Sequence, residues 1–315
     1  MELAMVGLGK MGANMTRRLL RGGHRVVAFD RSRAIGDELS AEGAECAVSL
    51  EDAVSRLKAP RAVWVMVPSG EPTRAVLADL RGLLQPGDVA VDGGNSDWRD
   101  DAAHAASYAE KGLVYLDCGT SGGMYGLAEG YCLMVGGDRA AVERLKPIFE
   151  TLAPKEGFAH LGGPGAGHYA KMVHNAIEYG MMESLAEGFE LLQASPQGID
   201  PAQVAGLWRH GSVVRSWLLD LTHQALRKDP KLAGITGYVD DSGEGRWAVE
   251  TAIARSVPAT VFAAALFNRF RSRQPDSFAM KILAALRREF GGHAVQAAAK
   301  SGNGAANGGG SAPSA

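Results

Sequence analysis

Four residues able to hold or move a proton share one stripe of the segment Lys171-Met172-Val173-His174-Asn175-Ala176-Ile177-Glu178-Tyr179. At about 100° per residue of helix, Lys171, His174, Asn175 and Glu178 stand at i, i+3, i+4 and i+7, within roughly a third of the circumference. The line offers a general base, a general acid and two hydrogen-bonding groups. The competing reading is a solvated face with Lys and Glu in loose register. A solvated face stays polar, whereas this stripe continues as Met182, Leu185 and Phe189, so the polar cluster reads as local and enclosed. An unperturbed lysine is almost fully protonated at pH 7, and a base at Lys171 needs burial or a nearby cation. Its apolar neighbours Met172, Val173, Met181 and Met182 are expected to supply the burial.

Two kinds of sequence pattern must position this stripe. From Leu3 to about Leu161, the β-branched runs Leu3–Leu8, Arg25–Asp30, Ala62–Val67, Val89–Asp92, Val114–Asp117 and Cys132–Val135 alternate with helical stretches. Those stretches are Lys10–Arg21, Glu71–Leu84, Asp97–Lys111 and Arg139–Leu152, and the alternation predicts an α/β fold with a doubly wound parallel sheet. After Gly162-Gly163-Pro164-Gly165 the pattern is helical: Ala166–Ala194, Pro201–Leu226, Trp247–Ser256, Ala259–Arg273 and Ser277–Phe290. We therefore expect a dinucleotide-binding domain over residues 1–163, an all-α substrate and oligomerisation domain over 164–300, and a disordered tail over 301–315. The stripe falls in the first helix past the boundary, where a cleft between domains would be lined.

Gly7-Leu8-Gly9-Lys10-Met11-Gly12 is a G-x-G-x-x-G, a weak signal alone in a chain with 41 glycines. Its context is stronger: it follows an apolar strand, opens a helix, and is followed about 20 residues on by Asp30 at the end of a second strand. This predicts a Rossmann-type site. Gly7 permits the turn, Gly9 lets a pyrophosphate approach, Gly12 allows close packing, and the helix N-terminus supplies N–H groups. Asp30 would accept from a ribose diol and repel a 2′-phosphate, favouring NAD over NADP, although Arg31 beside it could bind that phosphate. The strand ends Val65-Met66-Val67-Pro68 and Asp92-Gly93-Gly94-Asn95-Ser96, and the loop Ser121-Gly122-Gly123, fall on the same carboxyl edge of the sheet. We assign Val67, Pro68 and Asn95 to the cofactor rim.

The 315 residues carry a formal charge of −2, so no global basic field points to nucleic acid. Cys46, Cys118 and Cys132 lack metal-ligand or redox spacing and read as small buried hydrophobes in a reduced compartment, and no metal is expected. With no signal segment and no apolar run of membrane-spanning length, a soluble cytoplasmic protein is expected.

Together, the glycine loop, Asp92-Gly93-Gly94-Asn95-Ser96, Ser121-Gly122-Gly123 and Gly167-His168-Tyr169-Ala170-Lys171-Met172-Val173-His174-Asn175-Ala176-Ile177-Glu178-Tyr179 resemble decarboxylating 6-phosphogluconate dehydrogenase, in its short bacterial form. The order and spacing extend up to His293. The resemblance implies oxidation of the C3 hydroxyl of 6-phosphogluconate followed by loss of the C1 carboxylate, giving ribulose 5-phosphate in the pentose phosphate pathway. It makes Lys171 the general base and Glu178 the acid that protonates the enediol carbon. Asn95, Ser121, Gly122, Gly123, His174 and Asn175 match substrate contacts, while Tyr179 and Arg269 match phosphate contacts. Arg287 and His293 resemble a terminal pair that reaches into the neighbouring subunit's site, which implies a homodimer or homotetramer. Ser242 stands where a phosphate-binding Lys is expected, and Arg246 where the long form has Lys. Asp30-Arg31-Ser32 replaces the Asn-Arg-Thr of NADP-using members, in agreement with NAD. The rivals are a β-hydroxyacid dehydrogenase acting on 3-hydroxyisobutyrate and a dinucleotide-sensing regulatory protein without turnover.

Overall fold

The structure, a computed structural model, describes residues 1–296. The expected tail 301–315 and the end of the expected helical domain lie outside the described residues. Eight strands form one sheet: β1 (Glu2–Val6), β2 (Arg25–Phe29), β3 (Glu45–Cys46), β4 (Ala62–Val65), β5 (Val89–Asp92), β6 (Val114–Ser121), β7 (Cys132–Gly137) and β8 (Phe158–Gly162). Between them lie α1 (Lys10–Arg21), α2 (Arg33–Ala41), α3 (Leu50–Ser55), α4 (Glu71–Leu83), α5 (Trp98–Ala109), α6 (Gly126–Glu129) and α7 (Arg139–Leu152). The spatial order is β3-β2-β1-β4-β5-β6-β7-β8, with β1 to β6 all parallel. That order reverses between β1 and β4, the switch point where open α/β sheets bind ligands at their carboxyl ends.

Burial on both faces explains why these strands are continuously apolar rather than alternating. In β1, Leu3 and Met5 face one cluster with Met15, Leu19, Trp64 and Phe149, while Ala4 and Val6 face the other with Val63, Leu77, Leu80 and Tyr108. One departure from an all-parallel sheet is β7, which runs antiparallel to β6, with Cys118 opposite Val135 and Ser121 opposite Cys132. Strands β3 and β8 and helices α2 and α3 add to the elements read from the sequence.

The helical part is α8 (Ala166–Gln193), α9 (Pro201–Trp208), α10 (Trp217–Lys228), α11 (Glu244–Ala254), α12 (Thr260–Ser272) and α13 (Phe278–Gly291). The expected helix Pro201–Leu226 is interrupted: Gly211 takes a left-handed turn at φ +72° and the Ser216 hydroxyl accepts from Leu219 N to start α10 afresh. Helix α8 has 28 residues and so spans about 42 Å. Its first half packs on β6 and β7 on one side and on α11 and α12 on the other. Met172 and Ala176 pack with Ala248, Trp247 and Phe262, and further along Leu185 and Phe189 pack with Ala205, Trp208 and Leu219. The apolar continuation of the stripe is therefore the contact with α9 and α10. No helix among the described residues is long and apolar enough to cross a membrane.

Candidate active site

The glycine loop sits at the carboxyl end of β1. Gly7 has φ +94°, and a Cβ on Gly12 would stand 2.0 Å from Gly7 O, so neither position admits a side chain. A Cβ on Gly9 would meet nothing, and α1 begins there without a side-chain cap or a first-turn acid. An open face and uncapped N–H groups suit a pyrophosphate, so these residues fit a dinucleotide. Asp30 does something the sequence did not reveal: Oδ2 accepts from Leu8 N at 2.7 Å and Oδ1 from Ser32 N at 2.8 Å. The carboxylate thus fastens the loop to the end of β2 and still has lone pairs for a ribose diol. Lys10, Arg31 and Pro68 are exposed around this rim, with Met11 and Val67 half-buried.

Asn95 is presented by a turn that Asp92 builds. The buried Asp92 accepts from Gly94 N at 3.0 Å through Oδ1 and from the Ser96 hydroxyl at 2.7 Å through Oδ2. Such a turn holds the loop rigid at the sheet's edge.

Lys171 reaches the same edge because α8 is anchored directly on β6. Its N-terminus follows Gly165, which has no side chain to cap it, so Asp117 of β6 does so: Oδ1 accepts from Gly165 N at 2.8 Å and Oδ2 from His168 N at 2.9 Å. Gly119 brings the two elements into contact, since a Cβ there would lie 2.4 Å from Lys171 Cβ. Burial against the sheet lowers the Lys171 pKa below the ordinary lysine value, against the opposing pull of Glu244 and Glu178. The expected shielding by Met181 and Met182 is not what does this, because both are about 40 % exposed.

The polar groups of the stripe form one network. The Lys171 amine donates to Asn175 Oδ1 at 2.5 Å, and His174 Nδ1 lies 2.9 Å from the same oxygen. The other ring nitrogen of His174, Nε2, is 3.2 Å from the hydroxyl of Ser121, the last residue of β6. Glu178 Oε2 is 3.9 Å from His174 Nδ1 and remains 41 % exposed, so the acid end of the stripe is open while the amine end is enclosed. Gly122 is half-buried beside Ser121, and Gly123 is exposed. Lys171, Asn175, His174, Ser121 and Asn95 therefore line one site, joined by Glu244, which the sequence reading missed. This buried carboxylate accepts from both Asn95 Nδ2 and Asn175 Nδ2 at Oε1, and from the Ser242 hydroxyl at 2.7 Å through Oε2.

Residues 2–162 match the NAD-binding domain of 6-phosphogluconate dehydrogenase, and residues 167–284 match its C-terminal domain. The chain belongs to the 6-phosphogluconate dehydrogenase family. It is an oxidoreductase of that family with an NAD-binding domain. YqeC of Bacillus subtilis, which carries 6-phosphogluconate dehydrogenase as a provisional name, is 46 % identical over 94 % of this chain and 99 % of its own length. An NAD(+)-dependent, decarboxylating 6-phosphogluconate dehydrogenase of Haloferax volcanii is 41 % identical over 94 % of this chain and 98 % of its own. Among solved structures, the Plasmodium falciparum 6-phosphogluconate dehydrogenase superposes with a TM-score of 0.79 at 24 % identity, covering 92 % of this chain and 65 % of that one. A 3-hydroxyisobutyrate dehydrogenase of Mycobacterium tuberculosis superposes at 0.70 with 25 % identity, covering 91 % and 99 %.

In this 6-phosphogluconate dehydrogenase family member a group of cations lies past Tyr179. The buried Tyr179 hydroxyl accepts from Ser242 N at 3.3 Å, and the Arg269 guanidinium lies 3.6 Å above its ring while donating to Asp240 O at 2.9 Å. Arg246 is held by Asp241 at 2.6 Å, as is Arg273 at 2.8 Å, so two of the three cations here already have a carboxylate partner. Arg287 and His293 lie apart from this network and line a shallow pocket of their own with Met280, Lys281 and Ala284. They are not brought to Lys171 within one chain.

Behind the site sits a second buried network. His168 Nδ1 is 2.9 Å from Asp101 Oδ2, and the Tyr115 hydroxyl donates to Asp101 Oδ1 at 2.7 Å. Burial disfavours a charged ring, yet the bond and charge of Asp101 override it and raise His168 to about 9. Asp92, Asp101 and His168 also bring potential ligand atoms within 4.8 Å of one another. Of the cysteines, Cys118 is buried as expected, whereas Cys132 is exposed because it starts β7 beside the Ser121 loop.

Proposed function

We propose that this protein oxidises 6-phosphogluconate at C3 with NAD as hydride acceptor and then decarboxylates it to ribulose 5-phosphate, within the pentose phosphate pathway. The observation that carries the reading is Lys171: a half-buried amine with a lowered pKa, held at 2.5 Å by Asn175 at the carboxyl edge of a dinucleotide-type sheet. NAD, when bound, takes the hydride. The neutral Lys171 amine removes the C3 hydroxyl proton, and as an ammonium it then polarises the new ketone. A β-keto acid so polarised loses CO2 with the carbonyl as electron sink, and no metal is required for that step. Glu178, at the open end of the stripe, returns a proton to the enediol carbon. Asn95, Ser121, Gly122, Gly123, His174 and Asn175 bind the sugar acid.

Tyr179 and Arg269 bind the phosphate end, joined by Arg287 and His293 of a neighbouring subunit. A homodimer or homotetramer is supported by α13, which has no buried residue and exposes Phe278, Met280, Ile282, Leu283, Leu286 and Phe290. NAD is favoured over NADP by Asp30, whose charge would repel a 2′-phosphate. The test is a panel of 6-phosphogluconate, gluconate and 3-hydroxyisobutyrate with each cofactor. We expect the highest kcat/KM for 6-phosphogluconate with NAD. A preference for 3-hydroxyisobutyrate would transfer the chain to the second enzyme class, and cofactor binding without turnover of any acid would support a regulatory protein.

A further inference from the structure

The amides of both halves of the site converge on one carboxylate that the reaction above leaves unused. Glu244 opens α11 immediately after Gly243, at φ +105°, and is 2 % exposed. A buried carboxylate is costly unless donors surround it. Its donors here are Asn95 from the end of β5, Asn175 from α8, and Ser242 from its own turn. Asn95 and Asn175 are separated by the whole cleft in sequence, yet both point their amide N–H groups at the same oxygen, Oε1. With the N–H end of Asn175 so held, its Oδ1 can only face Lys171 and His174. Without the carboxylate the amide is free to flip and present N–H groups to the Lys171 ammonium, which repels it.

We propose that Glu244 is a positioning residue: one buried anion that sets the spacing of the two substrate-site asparagines and, through Asn175, aims the Lys171 amine. The proposal rests on the reading of Lys171 as the base. The titratable groups facing Lys171 are Glu244 from α11, Glu178 and His174 from α8, and Cys132 from β7. Burial lowers the amine's pKa, and Glu244 is the larger of the two carboxylate counterweights. Removing its charge must therefore lower that pKa further.

The test uses Glu244→Gln and Glu244→Asp in the full chain, with two readouts. The first is the pH profile of kcat/KM for 6-phosphogluconate with NAD. The second is the pH dependence of Lys171 acetylation by a small amine reagent, read on its peptide by mass spectrometry, which needs no turnover. In Glu244→Gln we expect the acid limb and the labelling midpoint to move down together, with kcat reduced about 10- to 100-fold. Glu244→Asp keeps the charge on a shorter arm, so kcat falls severalfold while limb and midpoint stay in place, which keeps the proposal testable if the Gln variant does not fold. Unchanged kcat in both variants, a midpoint that stays in place in Gln, or one that moves in Asp would each overturn it. A wild-type protein inert toward 6-phosphogluconate would remove the base assignment, while the labelling result would still judge Glu244.

Discussion

Adding a single methyl group at Gly119 tests whether the docking of α8 on β6 is what places the base. In Gly119→Ala the new Cβ would lie 2.4 Å from Lys171 Cβ and 2.8 Å from Gly167 O, whereas ordinary contact begins near 3.4 Å. One of these neighbours is helix backbone, which cannot swing aside as a side-chain tip would. Helix α8 must then retreat by about 1 Å, or the strand must bend by as much. Overpacking of this kind costs about 1–3 kcal/mol of stability. A 1 Å misplacement of a reacting group costs about 100-fold in rate, equivalent to roughly 2.7 kcal/mol of transition-state stabilisation. The glycine loop lies at the carboxyl end of β1 and does not contact Gly119, so cofactor affinity should be spared. The assay is kcat/KM for 6-phosphogluconate, with NAD affinity by titration and a thermal melt on the same sample. The expected result is a loss of about two orders of magnitude in kcat/KM, a melt lowered by several degrees and NAD binding within twofold of wild type. Turnover within threefold of wild type at an unchanged melting temperature would show that the approach of α8 to β6 does not position Lys171.

Lys171→Met keeps the buried length of the side chain and removes the amine, so oxidation should fall by about 10³-fold or more while NAD still binds; near-normal NADH production would reject the base assignment. Because the neutral amine is the active form, kcat/KM for the wild type should rise with pH through a midpoint below the ordinary lysine value, and an acid limb at or above that value would contradict the burial of Lys171. Glu178→Gln should lower kcat about 10²-fold with KM for 6-phosphogluconate little changed, checked by steady-state kinetics; a rise in KM alone would make Glu178 a binding group. For His168→Gln, Asp101 keeps the Tyr115 hydroxyl but loses its charged partner, at a cost of about 3–5 kcal/mol in chemical denaturation at pH 7. His168 is raised above its unfolded pKa, so its contribution is full below about pH 6.5 and is lost as pH rises through about 9. The wild-type advantage should therefore narrow across that window, and a gap that widens with pH would refute the charged pair.

The stripe from Lys171 to Tyr179 was legible because a helical period is a local property, and so were the glycine loop and the acid at the end of β2. The apolar strands of the sheet were readable for the same reason, each being buried on both faces. Direction was not readable, since nothing in Cys132–Val135 itself says that β7 runs against β6. The two-residue β3 is too short to show a period, and β8 is only partly buried, so its run lacks an apolar signature. Glu244 was hidden differently: it sits in a glycine-rich turn and meets partners 149 and 69 residues away, a relation only the fold creates. Asp30 and Asp117 show the same limit, because their residue types were noted while their bonds to Leu8 N and to the start of α8 depend on strands coming together. The cations past Tyr179 could be found by type, but their pairing with Asp241 could not.

In the proposed reaction one enclosed amine, that of Lys171, serves an oxidation and the decarboxylation that follows it. The most direct measurement mixes the protein with 6-phosphogluconate and NAD and follows NADH and released CO2 in the same reaction. We expect the two products in a one-to-one ratio throughout, with both lost together in Lys171→Met. NADH formed without CO2, or no reaction with 6-phosphogluconate under conditions where NAD binds, would contradict it.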